Sequence, residues 1–226
     1  MASYLDRSIK LLGEDKVNRF SSKTILVAGL GGVGGTALNA LMRSGFKKFI
    51  IVDFDDVDES NLNRQAMYER SDIGLAKVDV CEKRIHSISS DIEVIKHKMF
   101  IDEESLKIFE DVHIDYIVDA IDKIPSKLSL IKFAQKKNID IIVSLGMGNR
   151  IDPSKVHLTT LNKTENDPLA KKLRYECRHN DLDLKKINVV FSNEEPLVSG
   201  TEVASMMMVP STAGLLMAKY IVKTII

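Results

Sequence analysis

The sequence contains no tryptophan and only two cysteines, Cys81 and Cys177, among its 226 residues. Two isolated cysteines cannot form a disulfide framework or a four-cysteine zinc site, and neither belongs to a CxxC pair. This usage is typical of structural thiols in a reducing compartment. We therefore predict a cytoplasmic protein and expect no zinc.

The chain also lacks an excess of charge and a long apolar run. Its 32 basic residues balance 32 acidic ones, which argues against a protein that holds any polyanion non-specifically. The longest uncharged stretch, residues 203–218, is shorter than a bilayer span and is interrupted by Pro210 and hydroxyl side chains. The first residues are charged and carry no apolar core of a signal peptide. We expect neither a secretion signal nor a stable membrane association.

Short apolar runs alternate with helical segments over the first two thirds of the chain. After one or two short helices in residues 3–20, broken at Gly13, this alternation predicts a parallel, doubly wound, Rossmann-like sheet. The predicted strands cover 24–30, 49–55, 93–99, 116–122 and 140–146. The predicted helices cover 36–45, 76–89, 102–110 and 126–137.

The pattern changes after residue 150. Two further strands, 155–161 and 187–192, are separated by a basic helix over about 167–179, and we expect them to extend the sheet as antiparallel strands. An amphipathic helix over 211–226 ends the chain. The length fits a single α/β domain over residues 1–226.

A glycine-rich loop follows the first predicted strand. In its GxGxxG pattern, Gly29 permits a tight turn, Gly31 lets the backbone approach a phosphate, and Gly34 lets the helix pack on the strand. The N-terminus of the following helix favours an anion. Asp53 ends the second strand and is the expected acceptor for ribose hydroxyls. The loop predicts a nucleotide site that fits NAD as well as ATP.

Polar residues after the second and fourth strands favour ATP. Asn61, Arg64 and Lys77 offer an amide donor and two cations, which would stabilise charge at the α-phosphorus during adenylation. Asp122 ends the fourth strand, where doubly wound sheets bind ligands, and it is the best candidate to hold Mg²⁺. An NAD-dependent protein without adenylation chemistry stays open as an alternative.

Together these residues resemble the ThiF/MoeB/HesA superfamily, the bacterial relatives of ubiquitin-activating E1 enzymes. The matching motifs are GxGGVG, DxD, SNxNRQ, GxxK and DAID. The resemblance implies an ATP-dependent adenylating enzyme in which Asp122 holds the Mg²⁺. It also implies a nucleotide-binding set composed of Gly29, Gly31, Gly32, Gly34, Asp53, Asp55, Ser60, Asn61, Arg64, Lys77 and Asp122.

Arg7 matches an N-terminal arginine that, in this superfamily, reaches from one subunit into the ATP site of its partner. The resemblance therefore implies a homodimer with composite sites. Arg7 would then join Arg64, Lys77 and Asp122 as a catalytic residue.

The second half of the chain resembles one subfamily more closely, the tRNA threonylcarbamoyladenosine dehydratases (TcdA/CsdL). The matching tracts are SLGMG at 144–148, IDP at 151–153, DPLA at 167–170 and FSNEEP at 191–196. MoeB- and ThiF-type members generally carry two CxxC pairs for zinc, which this sequence lacks. The resemblance implies a tRNA substrate whose threonyl carboxylate is adenylated and then cyclised by its own carbamoyl group, with release of pyrophosphate and AMP. A cysteine desulfurase or sulfur-acceptor system is a further partner that the family admits.

Lys171, Lys172, Arg174 and Arg178 lie within two turns of the predicted basic helix and are candidate contacts to tRNA phosphates. A solvated helix face is the alternative interpretation of the same residues.

A second candidate function also stays open. An adenylyltransferase that activates the C-terminus of a ubiquitin-like sulfur-carrier protein would use the same ATP-binding residues.

Overall fold

The computed structural model describes residues 3–165, 167–198 and 203–226. Within these ranges, seven strands form one sheet in the order β3-β2-β1-β4-β5-β7-β6. The strands are β1 Thr24–Ala28, β2 Lys48–Asp53, β3 Glu93–Lys98, β4 Tyr116–Asp119, β5 Asp140–Ser144, β6 Val156–Thr160 and β7 Asn188–Ser192. The helices are α1 Asp6–Leu12, α2 Glu14–Ser21, α3 Gly32–Ser44, α4 Lys77–Ile88, α5 Ile124–Lys137, α6 Pro168–His179 and α7 Met208–Ile225.

Helices cover both faces of the sheet, which explains why its central strands are apolar without alternation. In β1, Ile25 and Val27 join one buried cluster, together with side chains of α3 and α7. Their neighbours Leu26 and Ala28 join the opposite cluster, with side chains of α5 and α6. The predicted doubly wound architecture is confirmed.

The predicted antiparallel extension consists of the pair β6–β7. β7 itself runs parallel to β5, with Val143 opposite Val189, whereas β6 runs antiparallel to β7, with Leu158 opposite Val190. β7 is buried over four of its five residues, which suits an interior strand, and β6 exposes His157 and Leu158, which suits an edge. β7 is therefore inserted between two strands that precede it in the chain.

Several predicted helices have different bounds in the structure, and α3 begins at Gly32 rather than at residue 36. The segment expected to be helical over 102–110 forms a short 3₁₀ turn at Ser105–Phe109. α7 begins at Met208 and includes Pro210 in its first turn, where the missing N–H of proline is tolerated. Among the described residues, no helix combines the length and the apolar character that crossing a membrane requires.

Candidate active site

A cavity of about 310 Å³ opens at the carboxyl ends of β1, β2 and β4. This edge is where doubly wound sheets bind their ligands. Most of the predicted nucleotide-site residues line it, namely Gly29, Gly31, Gly32, Asp53, Asp55, Asn61, Arg64, Lys77 and Asp122. The fold thus brings residues that are distant in the sequence to one space.

The glycine loop requires its glycines for two different reasons. Gly29 has a φ of +86°, and a Cβ there would lie 2.7 Å from the carbonyl oxygen of Ala120. Gly31 and Gly32 line the cavity with their backbone. Gly34 does not line the cavity, and a Cβ there would lie 1.8 Å from the carbonyl oxygen of Gly29. Gly34 therefore supports the loop by close packing rather than by direct contact with a ligand.

Asp53 joins the end of β2 to the glycine loop. Its Oδ2 accepts a hydrogen bond from the backbone N–H of Leu30 at 2.6 Å, and its Oδ1 accepts one from the backbone N–H of Asp55 at 2.9 Å. Burial raises the pKa of the Asp53 carboxyl, and the two amide donors oppose this rise. Each carboxylate oxygen keeps a free lone pair, so Asp53 can also accept from ribose hydroxyls.

Lys77 begins α4 and forms an ion pair with Asp55, with 3.0 Å between Nζ and Oδ2. The side chain of Lys77 is only 6% exposed, whereas that of Asp55 is 45% exposed. The lysine is therefore held against the cavity wall by a carboxylate that water can still reach. This arrangement places a fixed positive charge beside the bound phosphates expected there.

The turn that contains Asn61 positions Arg64. Asp58 caps this turn by accepting from the N–H of Ser60 at 2.8 Å, and Nη1 of Arg64 donates to the carbonyl oxygen of Ser60 at 2.8 Å. Ser60 itself is exposed and does not line the cavity. Its predicted contact with the nucleotide stays a prediction. In the structure, the backbone of Ser60 makes the hydrogen bonds to Asp58 and Arg64.

Asp122 lies in the loop after β4, exposed and facing the cavity. A buried ion pair stabilises this loop. The Nζ of Lys127 lies 3.1 Å from Oδ1 of Asp119, which also accepts from the N–H of Ile121 at 3.1 Å. Burial raises the pKa of Asp119, and the charge of Lys127 opposes that rise.

The surroundings of Asp122 fit a magnesium ion that travels with its nucleotide. Within the described residues there is no cluster of three or more histidine, cysteine or acidic side chains suited to a metal. Mg²⁺ beside nucleotides commonly takes one or two carboxylates and completes its shell with phosphate oxygens and water. A single accessible carboxylate beside a phosphate-binding loop meets that requirement.

An aromatic wall that the sequence patterns did not predict lies at one end of the cavity. Phe54 and Phe100 stack with 3.6 Å between ring centroids, and the Nζ of Lys123 lies 5.0 and 4.8 Å from them. Met99 and Ile101 extend this apolar wall. It begins one residue after Asp53, on the side suited to a nucleobase. The positions of the two phenylalanines just after β2 and β3 were the available sequence signal.

Gln65 is a second missed residue. It is 5% exposed, lines the cavity and follows Arg64 directly. Its Oε1 is buried and has no hydrogen-bond partner among the described residues. A buried amide oxygen without a partner is unfavourable, so a donor on a ligand would satisfy it. The match of Gln65 to the SNxNRQ motif was the signal for it.

Arg7 lies on the exposed surface of α1 and does not line the cavity of its own subunit. Its predicted role would require a second subunit.

On α6, Lys171, Lys172 and Arg178 are exposed. Arg174 instead folds back, and its Nη1 donates to the carbonyl oxygen of Thr164 at 2.8 Å. This intramolecular bond sets Arg174 apart from the other three residues of the predicted basic set.

Neither cysteine has the environment of a nucleophile. Cys81 and Cys177 are both fully buried, and burial raises the pKa of each thiol to about 12. Nucleophilic cysteines need an exposed, electropositive environment that lowers the thiol pKa. The polar residues that line the cavity supply cations, amides and carboxylates.

The chain belongs to the ThiF family, whose model matches residues 5–226. It is 36% identical to the tRNA threonylcarbamoyladenosine dehydratase of Bacillus subtilis (strain 168), over 98% of this chain and 94% of that protein. It is 35% identical to the enzyme of the same name from Escherichia coli (strain K12), over 82% of this chain and 71% of that protein. The resemblance inferred from the motifs is confirmed.

Solved structures agree with this assignment. The crystal structure of the E. coli tRNA N6-threonylcarbamoyladenosine dehydratase, TcdA, in complex with ATP superposes with a TM-score of 0.92 at 32% identity. The match covers 98% of this chain and 93% of that one. The AMP complex of the same enzyme has a TM-score of 0.91 at 31% identity and covers 97% and 92%.

Proposed function

We propose that the protein is an ATP-dependent tRNA threonylcarbamoyladenosine dehydratase, built as a single adenylation domain over residues 1–226. The observation that carries this proposal is the meeting of Asp53, Arg64, Lys77 and Asp122 around one cavity. This occurs in a chain that is 36% identical to a dehydratase of that name along almost its full length. The ATP and AMP complexes of the E. coli enzyme support the same nucleotide here.

In the first step, an oxygen of the threonyl carboxylate attacks the α-phosphorus of ATP, and the bond to pyrophosphate breaks. Arg64 and Lys77 offset the charge that develops on the phosphate oxygens, because both cations line the cavity. Asp122 would hold Mg²⁺, which, when bound, neutralises the leaving pyrophosphate. The amides of the glycine loop orient the phosphates.

In the second step, the carbamoyl group of the modification attacks the activated carbonyl carbon and closes a five-membered ring. The bond to AMP breaks, so one carboxylate oxygen leaves with AMP, and the proton lost on cyclisation passes to water. The attacking group is tethered to the substrate, so its effective concentration is high without an enzyme nucleophile. This route needs no reactive thiol, and both cysteines of the protein are buried.

We also propose partners and a cellular location for the protein. The protein acts as a homodimer in which Arg7 completes the partner's ATP site, and it works in the cytoplasm. The tRNA contacts the exposed cations Lys171, Lys172 and Arg178 on α6. Arg174 contributes there only if its bonds to Thr164 break. A cysteine desulfurase or sulfur-acceptor system is a further proposed partner.

ATP–pyrophosphate exchange tests this function directly. Exchange should require tRNA that carries N6-threonylcarbamoyladenosine, and an unmodified transcript of the same tRNA is the matched control. Exchange that depends instead on a protein with a Gly-Gly C-terminus would establish the sulfur-carrier alternative. Tight NADH binding without ATP binding would establish a non-adenylating protein. In cells, gene deletion should remove the cyclic nucleoside, as measured by mass spectrometry after mild hydrolysis.

A further inference from the structure

A second polar cluster lies beyond the carboxyl end of β5, outside the nucleotide cavity. Arg150 and Asp167 converge there on Gly146, the second residue after that strand. A Cβ on Gly146 would lie 3.5 Å from Nη1 of Arg150 and 3.6 and 3.7 Å from the two carboxylate oxygens of Asp167. Arg150 is 6% exposed and Asp167 is 4% exposed. A guanidinium and a carboxylate therefore both lie within van der Waals distance of the position that a Cβ on Gly146 would occupy.

Each of these side chains makes hydrogen bonds through some of its polar atoms and has one polar atom without a partner among the described residues. Arg150 donates from Nε to the carbonyl oxygen of Glu194 at 2.9 Å and from Nη1 to that of Gly146 at 2.6 Å. Asp167 caps α6, since its Oδ1 accepts from the backbone N–H of Ala170 at 3.0 Å. Within the described residues, Nη2 of Arg150 and Oδ2 of Asp167 are buried and have no hydrogen-bond partner.

Unpaired atoms of buried charged groups are unfavourable, and each costs more than a neutral group left in the same position. Arg150 and Asp167 do not satisfy each other, because Nη2 and Oδ2 both lack a partner in the described part of the chain. Within the described residues, one donor and one acceptor are thus left available for a further group. A small group with an oxygen acceptor and an O–H or N–H donor is the chemical complement.

This cluster is connected to the nucleotide side of the molecule. Oδ1 of Asn149 accepts from the N–H of Ala204 at 2.7 Å, and Nδ2 of Asn63 donates to the carbonyl oxygen of Ser205 at 2.9 Å. Asn63 directly precedes Arg64, and Arg64 lines the nucleotide cavity. Two consecutive residues thus link the turn that carries Arg150 to the loop that carries Arg64.

The order of the strands in the sheet also places the Arg150 and Asp167 cluster beside the nucleotide cavity. The nucleotide cavity uses the carboxyl ends of β1, β2 and β4, and β5 and β7 are the next parallel strands along that edge. Ligands of doubly wound sheets bind outside the carboxyl ends of the strands. A second substrate that must meet the α-phosphate of ATP would therefore lie toward β5 and β7.

We propose that Arg150 and Asp167 form the recognition site for the acyl substrate. Nη2 of Arg150 donates to an oxygen of that group, and Oδ2 of Asp167 accepts from its O–H or N–H. The inference rests on the proposed function, because a threonylcarbamoyl group carries a hydroxyl, N–H groups and carbonyl oxygens within a few bonds of the reacting carboxylate. It also gives the DPLA tract at 167–170 a role in specificity.

Asp167→Asn is the sharpest test. Asparagine caps a helix as well as aspartate does, so α6 keeps its cap, but the free end presents an N–H₂ donor where the substrate needs an acceptor. We expect the KM for modified tRNA in ATP–pyrophosphate exchange to rise about tenfold or more, the effect of one charge-assisted hydrogen bond. The KM for ATP should stay unchanged and the Tm should not fall, because the neutral amide replaces a buried charge that lacks one partner. Asp183→Asn, which alters the cap of a turn that follows α6, is the matched control.

Unmodified tRNA separates recognition of the acyl group from binding of the tRNA body. As a competitive inhibitor it should retain its Ki in Asp167→Asn, because it lacks the group that Asp167 contacts. An unchanged KM for modified tRNA would overturn the inference, as would equal rises in this KM and in the Ki of the unmodified transcript. Arg150→Lys, which keeps the charge but loses the second nitrogen, should show the same selective rise in KM. If the wild-type protein shows no exchange that depends on modified tRNA, the proposed function itself fails, and the ligand named here fails with it.

Discussion

Lys127 and Asp119 form an ion pair in which both side chains are fully buried, with 3.1 Å between Nζ and Oδ1. The pair lies beneath the loop that presents Asp122 to the cavity. Asp119 also accepts from the N–H of Ile121, so it fixes the backbone one residue before Asp122. Its Oδ2 has no hydrogen-bond partner among the described residues. The position of the exposed carboxylate therefore depends on a charge pair that water does not reach.

Lys127→Met should strongly destabilise the protein. The substitution leaves the carboxylate of Asp119 buried without its countercharge, and loss of one partner of a buried pair typically costs about 3–5 kcal/mol. Urea denaturation would measure the free energy of unfolding. The double variant Asp119→Asn/Lys127→Met removes both charges and should recover part of the loss. A Lys127→Met protein as stable as wild type would contradict this account.

Lys77→Met should instead leave stability nearly unchanged and lower activity strongly. Asp55 is 45% exposed and can be hydrated once its partner is gone, so we expect stability to change by less than about 1 kcal/mol. Exchange should fall on the order of a hundredfold, because a fixed cation beside the phosphates is lost. Lys96→Met, which removes a lysine paired with Asp79 and Glu82 on the surface, is the matched control and should keep full activity.

Asp122→Asn should leave the fold intact and lower ATP turnover by orders of magnitude. The side chain is exposed, so the change buries no unpaired group. A metal ligand contributes most in the transition state, so turnover should fall more than ATP affinity. Exchange rates, ATP binding and circular dichroism would separate these effects, with Asp111→Asn on the exposed surface as control. Wild-type turnover in Asp122→Asn would show that the carboxylate has been misassigned.

Neither thiol should react readily in the folded protein. Burial raises the pKa of Cys81 and Cys177 to about 12, so the thiolate is scarce at neutral pH, and reagent cannot reach the sulfur. Alkylation by iodoacetamide, followed by mass spectrometry, should be far slower in buffer than in urea. A Cys177→Ala protein should retain its exchange activity. Rapid modification of Cys177 accompanied by loss of exchange would point to a cysteine-dependent mechanism instead.

The features of this molecule that the sequence predicts well are those with local causes. Gly29 needs its positive φ whatever surrounds it, and Asp53 and Asp122 follow apolar runs that are typical of interior strands. Because parallel strands share one edge for their carboxyl ends, residues that follow such strands can be assigned to a common site from their positions in the sequence. The cavity and most of its polar lining follow from that rule.

Other features depend on tertiary contacts that no local pattern specifies. Phe100 stacks on Phe54 only because β3 lies next to β2 in the sheet. Arg174 shares a helical face with Lys171 and Arg178, but its guanidinium bonds to Thr164, which precedes the helix. The insertion of β7 between β5 and β6 likewise depends on which strand is buried on both faces.

A mixing experiment should decide whether Arg7 acts in the partner's site. Arg7→Ala should impair exchange without dissociating the dimer, because one exposed arginine is a small part of a stable interface. When Arg7→Ala and Asp122→Asn proteins are mixed and allowed to exchange subunits, each mixed dimer regains one intact site. About a quarter of wild-type activity should then return, because half of the dimers are mixed and half of their sites are intact.

Lys77→Met mixed with Asp122→Asn is the control for this experiment. Both residues line the cavity of one subunit, so every site in a mixed dimer carries one of the two substitutions and no activity should return. Recovery that is confined to the Arg7→Ala mixture therefore requires that the arginine and the carboxylate of one working site come from different chains. If the Arg7→Ala mixture also stays inactive, the arginine acts within its own chain, whereas wild-type activity of the Arg7→Ala protein alone would show that the arginine has no catalytic role.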